Sequence, residues 1–168
     1  MDHYDVVIVG GGIHGVGTAQ AAAAAGYKAL LLEKSQLANG SSSRSSKLIH
    51  GGLRYLESAQ FSLVHECLRE RHLLTRLAPD LVSLEKFHIP VYDNTSRSRF
   101  TLRLGLSLYA LLGGLKQSTR FSSLDKRSWS SLDGLNREQL KAVYQYSDGR
   151  TDDKALTRAV MQSAIDML

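Results

Sequence analysis

The chain has 168 residues, 43% of them hydrophobic and 22% charged, with 21 Lys and Arg against 16 Asp and Glu. That composition excludes a dominantly disordered chain and points to one soluble globular domain with a single sizeable core. A lone cysteine, Cys67, excludes an intramolecular disulfide, and no tight Cys/His/Asp/Glu set offers a zinc-type arrangement, so a reducing compartment and no metal are expected.

The chain enters an apolar stretch almost at once, without the basic region, long apolar segment and cleavage site of a signal peptide, so a cytoplasmic start is expected. Val6 to Val9 reads as a strand that stops at Gly10-Gly-Gly12, and Ile13 to Ala25 is rich in alanine, the best helix former. Gly26 stands where a helix C-terminal cap is expected, and Ala29 to Leu32 is a second apolar run ending in Glu33. Two strands joined by a helix should lie parallel through a right-handed crossover. Residues 35–46 are Ser, Asn and Gly without an apolar period and read as a loop.

Residues 58–78 repeat apolar groups at Phe61, Val64, Leu68, Leu74 and Leu77, a long amphipathic helix stopped by Pro79. Phe87 to Val91 has a strand pattern that Pro90 confines to an edge or a strand end. Residues 99–112 form a helix that is apolar nearly all round, with Phe100, Leu104, Leu108, Leu111 and Leu115 on one stripe, and it is too short to span a bilayer, which takes about 20 apolar residues. Asn136 followed by Gln139 predicts a capping box for a short helix, and Ala142 to Tyr146 predicts an extended segment. Thr151 or Asp152 caps a last helix whose apolar stripe is Leu156, Val160, Ser163 and Met167. It has no capping glycine and no following strand, so a truncated chain is expected.

Charge is unevenly placed: seven basic residues (Arg97, Arg99, Arg103, Lys116, Arg120, Lys126 and Arg127) face one acid, Asp125, between residues 97 and 127. By charge alone such a stretch suits phosphates, anionic lipid or nucleic acid equally, or is simply a solvated surface.

The strongest constellation is Gly10-x-Gly12-x-x-Gly15 between a strand and a helix, with Glu33 closing the next strand 18 residues beyond Gly15. Gly10 permits the tight turn, Gly12 lets backbone amides approach a pyrophosphate, and Gly15 allows helix and strand to pack closely. The helix N-terminus offers unpaired amides and a positive dipole end to the phosphates, while Glu33 accepts from ribose hydroxyls. The fingerprint defines a dinucleotide site and leaves FAD and NAD open.

Residues 41–57, Ser-Ser-Ser-Arg-Ser-Ser-Lys-Leu-Ile-His-Gly-Gly-Leu-Arg-Tyr-Leu-Glu, resemble the glycerol-3-phosphate dehydrogenase flavoproteins nearly residue for residue. The match runs back through the glycine fingerprint and, more weakly, forward to Tyr146-Ser-Asp148 and Asp152-Asp153. The resemblance implies an α/β fold: a Rossmann-like FAD-binding fold, incomplete, with the beginning of an α+β substrate domain. Residues 1–80 would be the FAD-binding segment, 81–145 the start of the substrate domain and 146–168 a helix returning to the FAD domain. It implies FAD as cofactor, held by Gly10, Gly12, Ile13, His14, Gly15, Glu33, Lys34, Ser42, Ser43, Ser46, Lys47, Leu48, His50, Gly51 and Gly52.

Arg54 matches the position expected to contact a substrate phosphate, Tyr55 would pack beside the site, and His50 is a candidate base that ranks after Arg54. The implied reaction oxidises glycerol 3-phosphate to dihydroxyacetone phosphate, with electrons passed to a quinone or another electron-transfer partner. A membrane surface is a further implied partner of the basic and apolar stretch 97–116, on the inner face of the cytoplasmic membrane; nucleic acid is not. Ala21, Ala25 and His14 depart from the family pattern, which leaves another hydroxy acid or an amine open as substrate. An NAD-dependent dehydrogenase and an inactive cofactor-binding fragment are the competing readings. With only two parallel strands legible, low stability in isolation is expected.

Overall fold

The computed structural model describes residues 3–167. In chain order its elements are β1 (Val6–Val9), α1 (Ile13–Ala24), β2 (Ala29–Leu32), β3 (Leu48–Ile49), α2 (Phe61–Leu77), β4 (Val82–Tyr92), α3 (Arg99–Leu112), β5 (Phe121–Ser123), β6 (Leu140–Thr151) and α4 (Asp153–Ile165). They form two units, one built from the chain up to Leu48 and again from Thr151 onward, the other from Ile49–Arg150. The boundary expected at residue 80 lies within the second unit, because α2 packs there against α3.

In the first unit β1 and β2 pair in parallel, Val6 opposite Ala29 through Val9 opposite Leu32. The alanines of α1 give it helix propensity, and Gly26, at φ +81°, ends it: the Tyr27 amide donates to the Ala22 carbonyl at 2.9 Å in a Schellman closure that needs a residue tolerant of positive φ. α4 lies against α1, and Ala164 is buried with Ala19, Ala23 and Ile8, side chains small enough for the helices to approach closely. Gln20 Nε2 donates to Ser163 Oγ at 2.8 Å across the same pair.

The period of two along β1 buries Ile8 and leaves Val7 and Val9 exposed on the other face. Asp152 caps α4, its Oδ1 accepting the Lys154 amide at 2.9 Å and the Ala155 amide at 3.1 Å. The inward stripe of α4 is Thr157, Met161 and Ala164, one position round from the expected Leu156, Val160, Ser163 and Met167.

In the second unit β6 lies between β3 and β4, and β5 adds to it antiparallel with Phe121 opposite Tyr146. β4 begins five residues before the expected Phe87 and ends the strand order, the edge position to which Pro90 confines it. Val64 and Leu68 of α2 pack on Tyr109 of α3, and Leu106 packs on Val91, Ala142 and Tyr144. A further cluster joins Trp129 to Leu140 and Val143.

One expectation is corrected here. α3 has the predicted bounds and buries Leu106, Tyr109 and Ala110; of the stripe noted in the sequence, Leu108 is half-buried while Phe100 is 76%, Leu104 60%, Leu111 61% and Leu115 52% exposed. A helix that is apolar all round carries no signal for its inward face. The short helix expected after Asn136 is absent: Asn136 Oδ1 accepts the Glu138 amide at 2.9 Å in a local turn, Gln139 sits at φ +58°, and β6 begins at Leu140.

Candidate functional site

The turn between β1 and α1 is built by its glycines. Gly10 adopts φ +108°, and a Cβ on Gly15 would overlap the carbonyl oxygen of Gly10, so a side chain at position 15 would force α1 away from the end of β1. Gly12 is the N-cap of α1, and the first turn holds no acidic side chain to compete with an anionic ligand. The Ile13 amide donates to Ser42 Oγ at 3.0 Å. The amides of His14 and Gly15 belong to the first turn, where the helix supplies no acceptor and its dipole end is positive.

Glu33, at the end of β2, closes the turn. Its Oε2 accepts the Gly11 amide at 2.7 Å, and its Oε1 accepts the Ser35 amide at 2.9 Å and Ser35 Oγ at 3.2 Å. The Gly11 amide, followed by the Ser35 amide, holds the Glu33 carboxyl below the ordinary carboxylate range, so it is ionised at neutral pH. A carboxylate offers about four lone-pair positions, and three are engaged here. Lys34 beside it is exposed.

In the loop that follows, Ser42 is drawn to the α1 N-terminus, Ser43 Oγ donates to the Gly40 carbonyl at 3.1 Å, and Ser46 is exposed. Lys47, at φ +62°, donates from Nζ to the Ser43 carbonyl at 3.1 Å and pairs with Asp153 Oδ2 at 2.9 Å. Ser45 Oγ donates to the same Oδ2 at 2.6 Å. The lysine charge is therefore matched within its own unit, and α4 pins the loop through Asp153. Leu48 is half-buried in β3.

In the second unit His50 and Arg54 are exposed, Gly51 and Gly52 are buried, and the Arg54 guanidinium lies 5.7 Å from the ring centre of Tyr55. Tyr55 is half-buried against the Val64, Leu68 and Tyr109 cluster. The glycine pair rests on a buried polar network. The Gly51 amide donates to Asp148 Oδ1 at 3.1 Å, and Arg71 Nη1 donates to the same oxygen at 2.7 Å. Arg71 Nη1 also donates to Tyr109 Oη at 3.1 Å and the Ser147 carbonyl at 3.0 Å, and Nη2 to the Ser118 carbonyl at 3.0 Å. A Cβ on Gly51 would overlap Tyr109 Oη and Leu68 Cδ2, so packing demands glycine there. Burial pushes the Tyr109 phenol well above its ordinary value, with the Asp148 charge adding to the effect.

The structure thus gathers Gly10, Gly12, Ile13, His14, Gly15, Glu33 and Ser42 around the start of α1, and His50 to Tyr55 into a separate segment of the second unit. Sequence alone did not single out Arg71 or Tyr109, and it marked Asp148 and Asp153 only within a weak match. A signal existed for Arg71: it falls at helical spacing on the Val64 and Leu68 stripe, where a charge has to be buried and paired.

A parallel strand–helix–strand with a glycine turn at the helix N-terminus and an acid closing the second strand is a dinucleotide-binding unit of Rossmann type. The FAD dependent oxidoreductase family model matches residues 5–167, and the chain belongs to that family. It is 44% identical over 150 residues to a glycerol-3-phosphate dehydrogenase of Synechocystis sp., a match covering 89% of this chain and 27% of that protein. It is 39% identical over 166 residues to an aerobic glycerol-3-phosphate dehydrogenase of Staphylococcus aureus, covering 98% of this chain and 30% of the other. Among solved structures, the glycerol-3-phosphate dehydrogenase from Bacillus halodurans complexed with FAD superposes with a TM-score of 0.69 at 26% identity, covering 99% of this chain and 25% of that one. The chain therefore spans less than a third of the length of these relatives.

Proposed function

We propose that this chain is the FAD-binding part of an enzyme that oxidises sn-glycerol 3-phosphate to dihydroxyacetone phosphate and passes the electrons to a quinone or another acceptor. The observation that carries the reading is the 44% identity to a glycerol-3-phosphate dehydrogenase, on a chain whose α1 N-terminus is built as an anion cradle. The residues present fit FAD: the Gly15 contact keeps α1 close to β1, its first-turn amides suit a pyrophosphate, and Glu33 retains acceptor capacity for a ribose hydroxyl. Bound FAD would supply the hydride acceptor.

In this reading Gly10, Gly12, Ile13, His14 and Gly15 hold the phosphates, and Glu33, with Lys34 next to it, holds the ribose end. Ser42 holds the Ile13 amide in place, and Ser43, Ser46, Lys47 and Leu48 shape the path toward the ring. In this reading His50, Gly51 and Gly52 border the ring, and His50 serves as the base that takes a proton from a substrate hydroxyl. Arg54 binds the substrate phosphate, its guanidinium exposed and free to form a bidentate contact, with Tyr55 beneath it. The FAD-binding segment in this reading is residues 1–80, which takes in most of the first unit and the start of the second, and residues 81–145 begin the substrate domain.

The exposed apolar side of α3, flanked by Arg99, Arg103 and Lys116, supports peripheral attachment to an anionic membrane surface. Among the described residues no helix is long and apolar enough to cross a membrane. Flotation of the intact protein with anionic liposomes tests this; unchanged flotation after replacing those three cations with Glu removes it.

The enzymatic reading is tested by adding glycerol 3-phosphate anaerobically to the intact protein. Bleaching of its visible flavin absorbance is expected. An intact protein that binds no flavin, or whose flavin responds to an amine or another hydroxy acid and not to glycerol 3-phosphate, overturns it.

A further inference from the structure

A cavity of about 530 Å³ opens in the second unit beside β5, and none of its lining residues is among those assigned above to FAD or substrate. Arg99 and Arg103 of α3, Lys126 and Lys141 line it against a single carboxylate, Asp125. Lys141 is paired with Asp93 at 3.0 Å, whereas no carboxylate lies within ion-pair distance of Arg99, Arg103 or Lys126 among the described residues. Asp125 Oδ1 accepts the Arg127 amide at 3.0 Å, which caps the turn that follows. The cavity is therefore cationic, and Phe121 and Tyr144 give it an apolar wall.

Trp129 also lines this cavity, nine-tenths buried, with the Lys126 ammonium 6.0 Å from its ring centre. Its Nε1 is buried without a hydrogen-bond partner, alone among the side-chain polar atoms of the described residues. An indole N–H is a donor only, and leaving it unpaired in the interior costs about 1–3 kcal/mol. Three cations without a carboxylate partner around one cavity call for a ligand with negative charge.

We propose that this cavity binds a phosphate group whose charge Arg99, Arg103 and Lys126 neutralise, with the Trp129 ring in its wall. The apolar wall admits the organic part of a phosphate ester. A dissolved phosphate and a phospholipid headgroup present the same chemistry. The site is independent of the flavin cradle, since it uses no residue of the first unit.

The test follows the indole N–H resonance of Trp129 in the intact protein, labelled at the indole nitrogen, with Trp129→Phe identifying the peak by its loss. Inorganic phosphate, phosphatidylglycerol vesicles and phosphatidylcholine vesicles are titrated in turn. A saturable shift with phosphate is expected, and Lys126→Glu or Arg103→Glu should weaken the apparent affinity roughly tenfold or more. Both side chains are exposed, so circular dichroism should show the fold retained. A shift produced by phosphatidylglycerol vesicles, lost in both variants and absent with dissolved phosphate, assigns the same site to a lipid headgroup. No shift with any probe, or a shift that both variants leave unchanged, overturns the proposal.

Discussion

Arg71 and Asp148, 77 positions apart, meet at 2.7 Å with their side chains 1% and 3% exposed. Desolvating both charges is costly, and the structure offsets that by filling the remaining valences: Arg71 also reaches Tyr109 and two carbonyls, and Asp148 also takes the Gly51 and Gly149 amides. The pair thereby ties α2 to the end of β6 and to the glycine segment that follows β3.

Removing one partner should leave the other charge stranded. Arg71→Met is expected to destabilise the protein by about 3–5 kcal/mol in urea unfolding, and Arg71→Met with Asp148→Asn by clearly less. A single substitution that leaves the midpoint within experimental scatter of the parent would mean the pair is not buried in solution.

Gly51→Ala places a methyl group on Tyr109 Oη and Leu68 Cδ2 and should cost about 1–3 kcal/mol in thermal unfolding. Gly105→Ala, in the interior of α3 with open space around it, should instead stabilise by about 0.5–1 kcal/mol. Equal shifts of the same sign would contradict the packing described for Gly51.

Gly15→Ala should abolish flavin retention, because the methyl meets the backbone of Gly10 and the first turn of α1 has to move. Gly17→Ala, two positions on with nothing within reach, should retain it. Flavin absorbance after gel filtration distinguishes the two.

Glu33→Gln removes the charge that orders Gly11 and should weaken FAD binding roughly tenfold, measured by flavin fluorescence quenching. Because the folded-state pKa of Glu33 is lowered from 4.5, its contribution is present above that value and is lost as pH falls through the depressed one. The acid limb of the binding profile should therefore shrink in the Gln variant; an identical limb would assign it to another group.

Tyr109 gives the opposite sign. Its pKa is raised from 10.0, so the folded state keeps its proton where the unfolded chain has lost it, and stability should fall as pH rises above that value. Tyr109→Phe should flatten this alkaline loss, as followed by denaturation midpoints against pH.

Local signals were legible in the sequence, and distant ones were not. The glycine turn, Gly26 and Asp152 act on their immediate neighbours, so spacing alone locates β1, α1, β2 and the start of α4. Lys47 read as a free charge for a ligand because its partner, Asp153, lies 106 positions away. The inward face of α3 is chosen by Tyr109, whose hydroxyl finds Arg71 on another helix, and nothing in the apolar pattern of residues 99–112 ranks that face above the leucine stripe. Gln139 at φ +58° defeats the capping-box pattern, since a helix needs negative φ there. Arg71 was readable in principle, as a charge placed on an apolar stripe.

α4 covers α1 only after more than a hundred intervening residues have been made, so β1, α1 and β2 leave the ribosome with Ala19 and Ala23 still wetted. The intervening unit separates the two halves of the first, and contacts so distant in sequence are slow to close. Assembly of the nucleotide cradle is thus a late event in biosynthesis, and a nascent chain arrested before residue 153 should be open to proteases at α1.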